Sequence, residues 1–291
     1  MKHSVHCCAI IVMLTAALLL FTNSEATPLQ KQAATTLFAP LLADPLEPRI
    51  AVMPSLNERT LQLDIGSSAD LYQSNAKDFA VGVDFGTYSR LKRSAEFKFP
   101  VDAIDYLFGI NASWKKPFTS KTLPFQEFSA KVRLSHISAH FEDGHYDANA
   151  NQWIPQNGWT GTIPFTYSRE FVNAVVALSS PEHRIYAGYQ YMYHTLPEGI
   201  SPHALQAGGE IAVGGDAYLA ADCKLLPIWQ PALQATSGHR ASWNLQAGMR
   251  LNSIGLEKVR VACTYYSGIS RQGMYFYHPE SATMAGVIID L

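Results

Sequence analysis

The chain has little charge and none of the long apolar runs that helical membrane proteins carry. Charged residues make up 16% of its 291 residues, against roughly 25% in an ordinary soluble domain. The net charge is only −2 and no basic run occurs, which argues against nucleic acid as a partner. No segment after residue 26 reaches about 18 consecutive apolar residues, so membrane-spanning helices are excluded.

The N-terminus has the features of an export signal. Lys2 precedes an apolar run at 9–21, and 24–26 supply small residues at the −3 and −1 positions of a cleavage site. This run is shorter than the roughly 20 residues of a membrane-crossing helix. We therefore predict a cleaved signal peptide at 1–26, which leaves 291 − 26 = 265 residues. An exported chain without spanning helices is either a soluble periplasmic protein or a β-barrel.

Alternation of apolar and polar residues favours the barrel. In 239–251 one face is apolar and the other polar, over more than the roughly 9–11 residues of a membrane-spanning strand. Strands of soluble sandwiches are usually nearer five or six residues. The apolar face carries Ala241, Trp243, Leu245, Ala247, Met249 and Leu251. We therefore predict an all-β, antiparallel up-and-down transmembrane barrel in a bacterial outer membrane.

Connection lengths predict the topology. Short connections alternate with long ones, as expected for short periplasmic turns and longer outer loops. The short ones are 252–255, 214–215 and 179–182, and the long ones are 267–281, 227–238, 195–202 and 142–162. Eight strands then follow Phe125, segments near 60–73, 79–91 and 97–114 add three, and 49–53 supplies a twelfth. The predicted barrel spans 49–291 with about twelve strands.

Two smaller predictions concern residues 27–48 and the cysteines. Pro45 and Pro48 bar a helix in 27–48, so this segment is placed in the periplasm or in the lower mouth of the barrel. Cys223 and Cys263 lie on strands that another strand separates. The resulting distance is near twice the roughly 4.8 Å strand spacing, which exceeds the reach of a disulfide.

Six short stretches, spread over nearly the whole predicted mature chain, give a resemblance to an uncharacterised family of bacterial outer-membrane proteins, the domain of unknown function 1207 type. The stretches are FAPLLADPLEPR (38–49), DYLFGI (105–110), LSHISAH (134–140), YSREF (167–171), RIYAG (184–188) and YYSGIS (265–270). The resemblance implies an exported barrel and no established activity.

Residues 128–141 contain a polar row where apolar side chains should continue. Phe128, Ala130, Val132 and Leu134 share one face, and unbroken alternation puts three polar side chains on that same lipid-facing side: His136, Ser138 and His140. The row would lie at the outer end of the strand, just before a long loop. Polar side chains facing lipid are costly, which makes the row a candidate for function.

The neighbouring strand adds a carboxylate. Alternation through Val172 places Glu170 on the lipid face near the outer end, beside His136 and Ser138. A serine, a base and a carboxylate that orients the base are the groups used for acyl transfer. The candidate catalytic residues are therefore Ser138 as nucleophile, His136 as general base and Glu170 as orienter, with His140 next to them.

The spacing of His136-Ile137-Ser138 resembles the His-x-Ser element of two outer-membrane families, phospholipase A and lipid A deacylase. This resemblance implies a site on the outer wall of the barrel. The third member of the site is not at the spacing of those families, so Glu170 is inferred from the residues alone.

Other interpretations of the row stay open. A β-bulge near Ser135 would turn the row into a polar lumen, and His136 with His140 could bind a metal, although no further fixed ligand is evident. The first hypothesis is a structural barrel or a narrow, plugged pore without a cofactor. The alternative is a lipid acyl hydrolase, for which a divalent cation is an option. Expected partners are outer-membrane lipids and the barrel assembly machinery.

Overall fold

A computed structural model describes residues 28–29, 36–93, 98–141, 146–147, 149, 152–153 and 167–291. Twelve antiparallel strands form a closed barrel, which confirms the predicted fold class. They are β1 (Ile50–Pro54), β2 (Thr60–Gln73), β3 (Phe79–Lys92), β4 (Val101–Pro117), β5 (Glu127–Phe141), β8 (Tyr167–Ser179), β9 (His183–Leu196), β10 (His203–Gly214), β11 (Ala217–Gln230), β12 (Ala235–Leu251), β13 (Leu256–Ile269) and β14 (Pro279–Ile289). A separate hairpin joins β6 (Tyr146–Asp147) to β7 (Gln152–Trp153).

The short strand β1 closes the barrel. Ala51 pairs with Ile288 of β14 on one side and with Asp64 of β2 on the other. This is the strand predicted from 49–53, and it gives the even strand number. No helix in the described part of the chain is long and apolar enough to cross a membrane.

We call the end of the barrel where β5 leads into 142–166 the upper end, and the opposite end, where the chain finishes, the lower end. Several strands continue past the predicted limits: β12 begins at Ala235, which reduces the predicted connection 227–238 to 231–234. A lower-end connection, 118–126, is itself long. The alternation of long and short connections is therefore less regular than predicted. The connection before β12 is shorter because strand pairing continues into the polar segment that begins at Ala235.

The outer wall is apolar over most of its height. Large apolar side chains are exposed there at every second strand position. They include Ile65, Val83, Phe85, Phe108, Ile110, Trp114, Val132, Leu134, Val172, Val176, Leu205, Trp243 and Leu245. Soluble monomers rarely expose a continuous apolar surface of this size, and such a belt suits contact with hydrocarbon.

Residues 36–49 lie inside the lower lumen, where inward-facing charged side chains hold them. The Arg184 guanidinium donates to the carbonyl oxygens of Ala39 and Pro40, and Glu47 pairs with Arg133 at 2.6 Å. Lys224 Nζ lies 2.6 Å from Asp44. Burial alone would raise the pKa of Asp44, but the Lys224 ammonium and hydrogen bonds outweigh burial and lower it. The segment thus fills the lumen at this level.

The upper lumen has an apolar core instead. The connection between β13 and β14 folds into the upper mouth through a short 3-10 turn, Gly273–Tyr275. Phe276 packs against Tyr167 and Trp229, with ring centroids 5.4 and 5.3 Å apart. A side chain at Gly273 would come within 2.4 Å of the Tyr167 ring, so the turn requires glycine there.

The two cysteines of the barrel are free thiols, as predicted. Cys223 pairs with Trp243 of β12, and Cys263 pairs with Ala247 of the same strand. One strand therefore separates them.

Candidate active site on the outer wall

The register of β5 is continuous from end to end. It pairs with β4 from Pro117↔Glu127 to Ala103↔Phe141, and with β8 from Ser179 to Tyr167, without a shift. The alternative interpretation with a bulge near Ser135 is therefore wrong, and so is the lumenal orientation that it would give. The physical reason is that Ile137 and Ala139, which alternate with the polar row, are buried in the apolar core of the upper lumen. His136 and Ser138 consequently face outward.

Glu170 is the centre of a second row, the cross-strand row, which consists of His136, Glu170 and His194 on three neighbouring strands. It lies opposite His136 of β5 and opposite His194 of β9. His136 Nδ1 is 2.5 Å from Glu170 Oε1, and His194 Nδ1 bonds to Oε2. Ser168 Oγ donates to Oε1 at 3.1 Å. The carboxylate is therefore held through both oxygens.

A β-bulge in β9 brings His194 into this row. Glu170 pairs with His194 whereas Phe171 pairs with Met192, so Tyr193 is an extra residue. Strict alternation would put Tyr193 outward and His194 inward, but the bulge exposes both. Sequence analysis missed His194 for this reason. The bulge depends on pairing with β8, and the local sequence carries no distinct signal for it.

Ser138 lies two residues above the cross-strand row on β5. It faces Ser168 on β8 and Tyr106 on β4, and it is half-buried. Its Cα is roughly 6.6 Å from that of His136, since strand residues rise about 3.3 Å each. Among the described residues no hydrogen bond links these two side chains. Catalytic hydrogen bonds are often long in unliganded enzymes and tighten with substrate.

The position of His136 suits a general base. Because Nδ1 faces the carboxylate, Nε2 stays available for the proton of a hydroxyl group, as in Ser-His-Asp triads. The structure thus brings His136, Ser138 and Glu170 together. It leaves His140 apart, where its ring makes an edge contact with Tyr106 at 5.7 Å.

The site lies at the upper edge of the apolar belt. From Phe128, the lowest exposed large apolar residue of β5, to Ser138 the strand rises ten residues, roughly 33 Å along its axis. With a tilt near 40° this is a height of roughly 25 Å, about the height of an apolar belt in an outer-membrane barrel. Leu134 and Val172 lie below the row, and Phe108 stands beside His136 in a ring pair with Phe85 at 5.3 Å.

A divalent cation near Ser138 stays a prediction, and the described part of the outer wall offers it one carboxylate there, Glu170. Ca²⁺ takes six to eight oxygen ligands, but both oxygens of Glu170 already accept hydrogen bonds from imidazoles. The Nδ1 atoms of His136 and His194 converge on that carboxylate, so their Nε2 atoms point apart. Within the described ranges no group of three or more His, Cys, Asp or Glu side chains is arranged to hold a metal ion.

No protein-family model and no curated protein matches the chain, so the resemblance to the uncharacterised family is not confirmed. Solved structures do match. An active-site mutant of outer membrane phospholipase A from Escherichia coli is similar with TM-score 0.57 and 12% identity, over 86% of this chain and 93% of that one. The calcium-bound dimer of the Salmonella typhi outer membrane phospholipase gives 0.55 and 9%, over 83% and 89%.

A porin of Rh. blastica covers 84% of this chain and 97% of its own at 10% identity, but its TM-score of 0.33 is too low to support an argument. At these identities the phospholipases are similar in fold alone. The chain therefore shares its barrel fold with these phospholipases, and its chemistry has to be argued from its own residues.

Proposed function

We propose that this protein is an outer-membrane hydrolase that cleaves acyl esters of lipids from the outer wall of its barrel. Ser138 is the nucleophile, His136 the general base and Glu170 the group that orients His136. The observation that supports the proposal is the unbroken register of β5, in which His136 pairs with Glu170 and Ser138 follows two residues later on the same face. The phospholipase architecture supports it by analogy of fold.

The height of the site defines the substrate class. Ser138 lies at the upper edge of the apolar belt, where acyl chains meet polar headgroups. The upper end is taken as the cell exterior, because outer-membrane barrels have short periplasmic turns and longer outer loops. The substrate is then a lipid of the outer leaflet, with its acyl chains along Leu134 and Val172 and its ester at the height of Ser138.

The reaction follows the serine hydrolase scheme. Ser138 Oγ attacks the ester carbonyl carbon while its proton passes to His136 Nε2. The tetrahedral intermediate collapses, the bond to the alcohol breaks, and the alcohol leaves with the proton from His136. Water then attacks the acyl-enzyme and gives a proton to His136. The fatty acid leaves as Ser138 regains that proton.

Glu170 keeps His136 competent in both half-reactions. Its hydrogen bond to Nδ1 fixes the tautomer in which Nε2 is free, and its negative charge stabilises the imidazolium that forms. Three hydrogen bonds hold the carboxylate in the position that this role requires.

A closed barrel without catalysis is the second candidate. Residues 36–49 fill the lower lumen and the Gly273–Tyr275 turn enters the upper mouth, which favours a closed barrel over a pore. Planar-bilayer recordings should therefore give a flat trace. Steady conductance steps would contradict closure.

Lipid mass spectrometry on cells producing wild type, Ser138→Ala or Ser67→Ala tests the hydrolase. We expect free fatty acid and deacylated lipid with wild type, and a loss of roughly 10³-fold or more with Ser138→Ala. Ser67→Ala is the matched control, since Ser67 is a partly exposed serine of β2 that bonds to the Ser68 carbonyl oxygen and not to the site, and its lipid profile should match that of wild type. Identical lipid profiles for all three folded, inserted proteins would refute the hydrolase.

A further inference from the structure

We infer that His194 is a positioning residue that holds Glu170 in its working orientation; this inference rests on the proposed function. His194 Nδ1 bonds to Glu170 Oε2, the oxygen that neither His136 nor Ser168 uses. The row therefore has a histidine on each side of one carboxylate. Only His136 lies on the strand that carries Ser138.

The carboxylate needs such support because of where it stands. Glutamate has three rotatable bonds and loses much rotamer freedom when it is fixed. Glu170 projects from the outer wall, and its side chain is 23% exposed, so packing alone does not confine it. Bonds to Oε1 alone would leave the carboxylate some freedom to rotate about its Cγ–Cδ bond. The bond from His194 removes this freedom and keeps Oε1 directed at His136.

The bulge in β9 indicates that the contact is a built feature. Without the extra residue Tyr193, the alternation of β9 would turn His194 into the lumen. A bulge leaves a residue unpaired in the ladder, and bulges are over-represented beside active sites, where they re-aim a side chain. Here the re-aimed side chain reaches the one outward-facing carboxylate on β8 among the described residues.

Kinetics of three variants test the inference. His194→Leu removes the donor on the lipid-facing wall, and His194→Asn keeps an N–H donor near the position of Nδ1. His203→Leu is the matched control, because His203 is an exposed histidine of β10 that bonds to Tyr189 at 2.7 Å and not to Glu170. The purified protein is assayed on a medium-chain acyl ester dispersed in detergent.

We expect His194→Leu to lower kcat by roughly 10- to 100-fold with KM unchanged, as for other residues that orient catalytic ligands. His194→Asn should recover most of kcat, and His203→Leu should match wild type. An unchanged kcat in His194→Leu would overturn the inference, and so would equal losses in His194→Leu and His194→Asn. If His194→Leu does not insert, His194→Phe gives the same comparison.

A spectroscopic readout separates this inference from the proposed function. The ¹⁵N shifts of His136 report its tautomer and need no turnover. Wild type and His194→Asn should show the Nδ1–H form, and His194→Leu a mixture of tautomers. An unchanged spectrum in His194→Leu contradicts positioning even if the enzyme is active. A changed spectrum in a protein that hydrolyses nothing supports positioning and refutes the hydrolase.

Discussion

The lower and upper halves of β5 carry opposite chemistry on the same two faces of one strand. In the lower half Val132 and Leu134 face outward, while Lys131 and Arg133 face inward. In the upper half the outward positions are polar, and the inward positions are apolar and buried. The backbone register runs through this change without a shift.

The difference between the halves shows that what lies across the lumen decides which residues a strand carries. Arg133 meets Glu47 of the segment that fills the lower lumen, so a charge is satisfied there. Ile137 meets the apolar core around Phe276, so an apolar side chain is buried there. Outside, the lower half lies in the apolar belt and the upper half at its edge. Only at that edge do outward-facing polar side chains keep contact with water and polar headgroups, so that their desolvation cost stays small.

The largest effect is expected at Glu170, the centre of the cross-strand row. Glu170→Gln exchanges a carboxylate for an amide that can donate to Nδ1, so His136 is driven into the wrong tautomer and its cation is no longer stabilised. We expect kcat to fall by roughly 10³- to 10⁴-fold with KM nearly unchanged. Steady-state kinetics on the dispersed ester measure both constants. A loss confined to KM would show that Glu170 binds substrate instead.

The next effect concerns the inward face of the upper half. Ile137→Ala leaves a cavity in the apolar core of the upper lumen, and we expect the free energy of unfolding to fall by about 2–5 kcal/mol. Urea unfolding in lipid vesicles, followed by tryptophan fluorescence, measures it. Ser138→Ala, one residue away on the outer face, serves as control and should change stability by less than about 1 kcal/mol. Equal stability of the two variants would contradict the assigned faces.

A smaller, pH-dependent effect is expected in the lower lumen. The pKa of Asp44 is lowered from 3.8, because Lys224 and hydrogen bonds outweigh the burial that alone would raise it. A lowered folded-state pKa means that stabilisation by Asp44 is complete above pH 3.8 and disappears as the pH falls through the lower value. Asp44→Asn should therefore cost about 1–3 kcal/mol at neutral pH.

Urea unfolding of wild type and Asp44→Asn at several pH values measures this cost. The difference in free energy of unfolding should shrink as the pH drops below 3.8. A difference that grows on acidification would contradict the ion pair with Lys224.

The smallest effect is expected at His140, the last residue of the polar row along β5. His140 contacts the ring of Tyr106 and lies beyond Ser138. His140→Ala should change kcat by less than about threefold, below roughly 0.7 kcal/mol. The same kinetic assay measures it. A loss as large as that of Glu170→Gln would place His140 in the catalytic machinery and not beside it.

Much of this molecule can be predicted from alternation alone. A period of two in segments such as 239–251 identifies spanning strands, and the strand count follows, including the short β1. The same period places His136, Ser138 and Glu170 on one face, because residues two apart on a strand project together. Three of the candidate residues could thus be brought together without coordinates.

The parts that escaped prediction depend on distant pairing. The interpretation that turned the row into the lumen assumed a polar interior along the whole strand. The apolar core of the upper lumen is completed by the connection between β13 and β14, which strand periodicity does not describe. His194 was missed because the bulge in β9 arises from its pairing with β8. Local sequence carries little information about either feature.

Covalent trapping tests the central claim most directly. The folded protein in lipid vesicles is treated with a long-chain sulfonyl fluoride, which reacts with activated serines, and the modified peptide is identified by mass spectrometry. We predict one adduct, on Ser138, that is absent in His136→Ala. No adduct on the inserted protein, or an adduct on another residue that persists in His136→Ala, would contradict a serine hydrolase on the outer wall.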